Sequence, residues 1–130
     1  MTTTARLQRF TDSQLTDALD ETWRRRADLG RAALRICEEL AARHLRQHLP
    51  GAHEVVLIED RSHDAPHAHL NVITDHTGRE LANGASDAWH DAAWARDIDE
   101  IVHDMYMFGA DEFSHDTLGE SRMYRFFVGG

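Results

Sequence analysis

The chain has 130 residues, 42% apolar and 28% charged, which suits one folded core and excludes a compositionally disordered polypeptide. Its net charge of −9 is uneven: residues 1–52 hold nine arginines against seven acids, and residues 53–130 hold five against sixteen. Phosphates are repelled by such an acidic half, so nucleic acid and anionic membrane are unfavourable partners and a basic protein surface is a favourable one.

Residues 1–10 read as a flexible lead-in without the apolar core of a secretory signal, and residues 11–130 as a single α+β domain. A helix starts after Thr11, where Gln14 completes a capping box. Leu15, Leu19 and Trp23 recur every four residues, followed by a stripe of Leu29, Ala33, Ile36, Cys37, Leu40 and His44, before Pro50-Gly51 stops the helix. Unbroken, it would be about 57 Å long at 1.5 Å per residue, too long for a small domain. It therefore either breaks near Gly30 or projects and pairs with another chain, a homodimer through residues 12–49.

Glu54–Glu59 reads as a buried strand, His67–Thr74 as a second, and Arg79–Ala82 as a short third, with Asp75–Gly78 as a turn. Ser86 caps a helix carrying Trp94, Ile98, Ile101, Val102, Met105 and Phe108, which Gly109 ends. Asp111–Glu120 is polar and expected to be irregular, and Arg122–Val128 is a last strand. The order implies an antiparallel meander with the helices on one face of the sheet.

The chemistry-bearing stretch is His63-Asp64-Ala65-Pro66-His67-Ala68-His69-Leu70-Asn71. Alternation puts His67, His69, Asn71 and Ile73 on one strand face and Ala68, Leu70, Val72 and Thr74 on the other, the better core face. Two imidazoles at i and i+2, with His63 and Asp64 folding back from the loop, form a donor set for a divalent metal, zinc first. His67-Ala68-His69-Leu70-Asn71-Val72-Ile73 also resembles the signature strand of histidine-triad nucleotide hydrolases and transferases, which implies His69 as nucleophile, although Asn71 stands at the third histidine position. The same histidine pair resembles that of relaxases and rolling-circle endonucleases, which implies a helical tyrosine, here Tyr106.

Other clusters have plainer readings. His44 and His48, at i and i+4, sit in the last helical turn, where histidine suits the helix dipole. Arg24, Arg25 and Arg26 point around a helix rather than along one face. Cys37 is the only cysteine, so no internal disulfide exists and the cytoplasm is the default compartment.

The sequence lacks a complete catalytic set. The leading expectation is a small acidic cytoplasmic protein acting by protein–protein contact. The alternative is a metal-dependent or histidine-nucleophile hydrolase centred on His67 and His69. A further one is a DNA mimic spacing the carboxylates of Asp97, Asp99, Glu100, Asp104, Asp111, Glu112, Asp116 and Glu120 like phosphates.

Overall fold

A computed structural model describes residues 8–61, 65–115 and 121–128. The order is α1 (Asp12–His48), β1 (Glu54–Asp60), β2 (His67–Thr74), β3 (Glu80–Asn83), α2 (Asp87–Asp91), α3 (Ala93–Gly109), a 3-10 turn (Ala110–Glu112), β4 (Ser114–His115) and β5 (Arg122–Phe127). The fold is α+β. The strands form one antiparallel sheet in the order β3-β2-β1-β5-β4, so β5 returns beside β1 after the helices.

Helix α1 begins where its capping box demands: the Gln14 amide donates to Thr11 Oγ1 at 3.2 Å and the Thr11 amide to Gln14 Oε1 at 2.9 Å. It does not break at Gly30. A Cβ there would lie 2.7 Å from the Phe108 carbonyl oxygen, so the glycine lets α3 cross α1 closely. The helix is anchored only by its second half. Leu34, Cys37, Ala41, Ala42 and Leu45 are buried, whereas every residue from Asp12 to Leu29 is exposed. That projecting part is about 27 Å long at 1.5 Å per residue.

The stripe read from the sequence is therefore partly misplaced. Cys37 is in the core, but Leu29, Ile36 and Leu40 are 69%, 63% and 48% exposed. Alanine is small enough at positions 41 and 42 for α1 to sit close on its neighbours, so the core line passes through less apolar residues than the stripe it displaces.

Beneath α1 and α3 the core gathers Val55 and Leu57 of β1, Ala68, Leu70 and Ile73 of β2, Ile98, Val102 and Met105 of α3, and Phe126 of β5. Each large side chain fully buried there is worth roughly 1.5–3 kcal/mol. Facing differs from simple alternation because the β1–β2 register slips between Val56 and Leu57: Leu57 opposes Leu70, while Val56 opposes Val72. Asn71 is the extra residue of this bulge. Beyond it the faces exchange, so Ile73 enters the core and Val72 lies on the outer face.

Three further boundaries differ from expectation. Ser86 caps only the short α2, accepting from the Trp89 amide at 3.2 Å, and extended Ala92 separates it from α3. Gly109 has φ −131° and is no left-handed cap; a Cβ there would meet Leu34 Cδ2 at 2.8 Å. Of the stretch expected to be irregular, residues up to 115 form the 3-10 turn and the two-residue β4, which pairs Ser114 with Met123 and His115 with Arg122, and residues 116–120 lie outside the described residues. Among the described residues no helix is long and apolar enough to cross a membrane.

Candidate functional site

The chemistry-bearing side chains meet at one end of the sheet, where β1 finishes and β2 and β5 begin. Antiparallel pairing of Ile58 with Met123 brings Glu59, which follows the one, beside Arg122, which precedes the other. Alternation then turns Glu59 toward the helices and Asp60 toward the outer face. These two adjacent acids head separate clusters on opposite sides of the sheet.

Glu59 is the one buried charged residue among those described, with a side chain 2% exposed. Its Oε1 accepts from Arg122 Nε at 2.9 Å and Arg61 Nε at 2.7 Å. Its Oε2 accepts from the Tyr106 hydroxyl at 2.6 Å and from a second Arg122 nitrogen. These donors, Arg122 foremost, overcome the cost of burial and hold the carboxyl down at about 2. Burial, followed by the bond to Glu59, pushes the Tyr106 phenol above its usual range. A carboxylate so saturated is a poor general base, and a phenol with a raised pKa is a poor nucleophile. The network ties β1, β5 and α3 together. It contains Tyr106, the tyrosine implied by the relaxase resemblance, on the opposite side of the sheet from the histidine pair.

On the outer face, Asp60 pairs with His67 and Ile58 with His69. One Asp60 oxygen, Oδ2, lies 3.8 Å from His67 Nε2 and 3.8 Å from His69 Nε2. The imidazole rings are 6.1 Å apart. His67 and His69 thus share the outer face, with Asp60 beside them. His63 and Asp64, the other expected metal ligands, lie outside the described residues. Among the described residues no group of three or more His, Cys, Asp or Glu is gathered to hold a metal ion. Beside His69, where β3 no longer covers β2, is a cleft of about 320 Å³ lined by Leu70, Gly84, Trp89, His90 and Asp99.

The remaining sequence candidates are engaged structurally. His48 stacks between His44 and Trp94, with ring separations of 6.2 and 5.1 Å. Arg24 and Arg25 both reach Glu21, and the Arg26 guanidinium lies 5.3 Å from the centre of the Trp23 ring. Asp97, Asp99, Glu100, Asp104, Asp111 and Glu112 are all exposed, and Asp99 accepts from Trp89 Nε1 at 3.1 Å. Asp116 and Glu120 lie outside the described residues.

A further exposed feature lies on α1, within the residues 12–49 that the sequence offers for pairing. Leu15, Leu19, Thr22, Arg26, Leu29, Ala33, Ile36 and Leu40 follow alternate steps of four and three, the heptad spacing of a helix-pairing seam. Apart from Thr22 and Arg26 every position is apolar, and all but the half-buried Ala33 are exposed, Leu15 the least at 37% among the leucines and isoleucine. The seam lies roughly a quarter turn around α1 from the core line of Leu34, Cys37, Ala41 and Leu45. Helical periodicity in the sequence left both outcomes open, a break near Gly30 and pairing of this helix with another chain. No protein family, curated protein or solved structure matches this chain.

Proposed function

We propose that this chain works by protein–protein contact, with α1 as the contact element and a second copy of the chain as the partner. The observation that carries the reading is the exposed heptad seam from Leu15 to Leu40. Apolar positions at this spacing bury one another when two helices wrap together, and burial is the driving force for such pairing. The seam is interrupted at Thr22 and Arg26 and resumes from Leu29 to Leu40, so a partner helix meets apolar positions on the projecting half of α1 and on the half anchored on the body. A cytoplasmic setting belongs to the same proposal, since Cys37 is a buried free thiol.

Light scattering across a concentration series tests it. The expected result is a dimer that Leu19→Asp combined with Leu29→Asp converts to a folded monomer of unchanged helicity. A wild-type chain that stays monomeric at every concentration would overturn the proposal.

A second reading is a metal-dependent or histidine-nucleophile hydrolase at His67 and His69. What favours it is the single Asp60 oxygen equidistant from both imidazoles, beside a cleft. It predicts stoichiometric zinc or manganese in the purified protein, or cleavage of a nucleotide analogue, either one abolished by His69→Ala without a loss of thermal stability. Metal-free, inactive protein would remove this reading and leave the first untouched.

A further inference from the structure

We infer that the open edge of β2 at Ala68–Leu70 docks an extended basic segment of a partner protein, which joins the sheet as a further strand and sets an apolar side chain into the cleft beside it. This goes beyond the self-association proposed above and uses a different surface, since that seam lies on α1.

The first argument is the backbone. Strand β2 has eight residues and β3 four, and their ladder covers only Val72–Thr74. The Gly84 amide adds one more bond, donating to the Asn71 carbonyl at 3.0 Å. There the cover ends. A Cβ on Gly84 would lie 1.9 Å from the Leu70 carbonyl oxygen, so the chain passes this point only as glycine. The next turn, closed by the Ser86 amide and hydroxyl on the Asn83 carbonyl, carries the chain off the edge into α2. Along the same run the other side of β2 is fully taken by β1. Among the described residues no strand pairs with the β3 side of Ala68–Leu70. Such an edge presents alternate N–H and C=O groups, and an extended backbone is the partner that matches them.

The second argument is the cleft of about 320 Å³ that opens on this edge. Its floor is made by the buried side chains of Leu70 and Trp89. The Trp89 indole is held in place, donating to Asp99 at 3.1 Å and meeting the Trp94 ring edge-on. Side chains alternate along a strand, so every second side chain of an added strand points to the helix side of the sheet, where this floor lies. Backbone bonds supply affinity in such a complex, and a pocket for alternate side chains supplies selectivity.

The third argument is charge. Residues 79–99 run from the edge strand past the cleft and hold Glu80, Asp87, Asp91, Asp97 and Asp99 against Arg79 and Arg96, a formal −3. The cleft itself is lined by Asp99 and by no arginine. A second copy of the chain at this edge would set these acids against their own kind, whereas a basic segment complements them.

Amide hydrogen exchange with a defined probe tests the inference on the full chain. The probe is a blocked eight-residue peptide of alternating arginine and valine, and the control carries glutamate in place of arginine. The arginine peptide is expected to slow exchange at the edge amides of residues 68–70 at least tenfold, and to bind at least tenfold more tightly than the control at low salt. Ala85→Trp, at an exposed position on the cleft wall, weakens binding at least tenfold with circular dichroism unchanged. Asp87→Arg combined with Asp91→Arg, both exposed, removes the preference for the arginine peptide. Unchanged exchange at residues 68–70, or equal binding of the two peptides, would overturn the inference. So would edge amides already protected in the dilute chain, or protection that grows with the concentration of the chain alone, which would assign the edge to a second copy.

Discussion

Arg122 grips Glu59 across 63 residues of sequence, and the guanidinium touches both carboxylate oxygens. Because both strands end here, this pair fixes where β5 stops sliding along β1. A slip of one residue would turn Arg122 to the outer face and leave the buried carboxylate with Arg61 and Tyr106 alone. The pair is a structural keystone of the end of the sheet that also carries Asp60, His67 and His69.

Acid stability follows from this contact. The Glu59 carboxyl is depressed from 4.5 to about 2 in the fold. A depressed carboxyl stabilises fully above its unfolded value and loses that contribution as pH falls toward its folded value. The stabilisation is thus complete above about pH 4.5 and disappears toward pH 2. Glu59→Gln is expected to cost about 3 kcal/mol at pH 7, since it leaves a partly buried arginine uncompensated. Denaturant unfolding at pH 7 and pH 3 checks both parts, and an equal loss at the two values would contradict the account.

Glu38 has the opposite sign. Burial, the largest influence, raises its carboxyl despite the Tyr124 hydroxyl and Arg35 beside it, and among the described residues Oε2 has no hydrogen-bond partner, with Arg35 Nε 3.6 Å away. The same site pushes the Tyr124 phenol up to about 12, first by burial and then by the Glu38 charge. A raised carboxyl makes its ionised form a liability to the fold, so stability rises as pH drops through the folded value. Glu38→Gln is expected to raise the melting temperature at pH 7 by about 2–4 °C, with the gain vanishing in acid. A melting temperature lowered at pH 7 would contradict this.

Gly30→Ala separates local preference from packing. In an isolated helix alanine is favoured over glycine by about 1 kcal/mol. Here the added methyl would sit 2.7 Å from the backbone oxygen of Phe108, which cannot rotate away. The variant is expected to lose about 1–3 kcal/mol, as overpacked sites do. Stabilisation, read by chemical unfolding, would mean that α3 is free to shift.

Truncations along α1 distinguish its two faces. Leu34→Ala removes a side chain 2% exposed and should cost about 2–5 kcal/mol. Leu29→Ala and Ile36→Ala, at exposed positions, should change monomer stability by less than about 0.5 kcal/mol. Unfolding measured in dilute monomer checks the contrast, which reverses if Leu29 or Ile36 belongs to the core.

The sequence by itself determined what depends on near neighbours. The Thr11–Gln14 cap, the strands, the amphipathic face of α3 and the shared face of His67 and His69 all follow from contacts or periodicities within a few residues. Tertiary structure decided what depends on partners far along the chain. Glu59 meets Tyr106 and Arg122 across 47 and 63 residues, separations that no local pattern encodes. The bulge at Asn71, which moves Ile73 inward, arises from the pairing of β1 with β2 and not from β2 alone. Likewise α1 offers two apolar lines about a quarter turn apart, and helical periodicity permits either to face inward. The close crossing at Gly30 and Gly109 selects the line through Leu34 and Cys37, leaving the Leu29–Leu40 line outside.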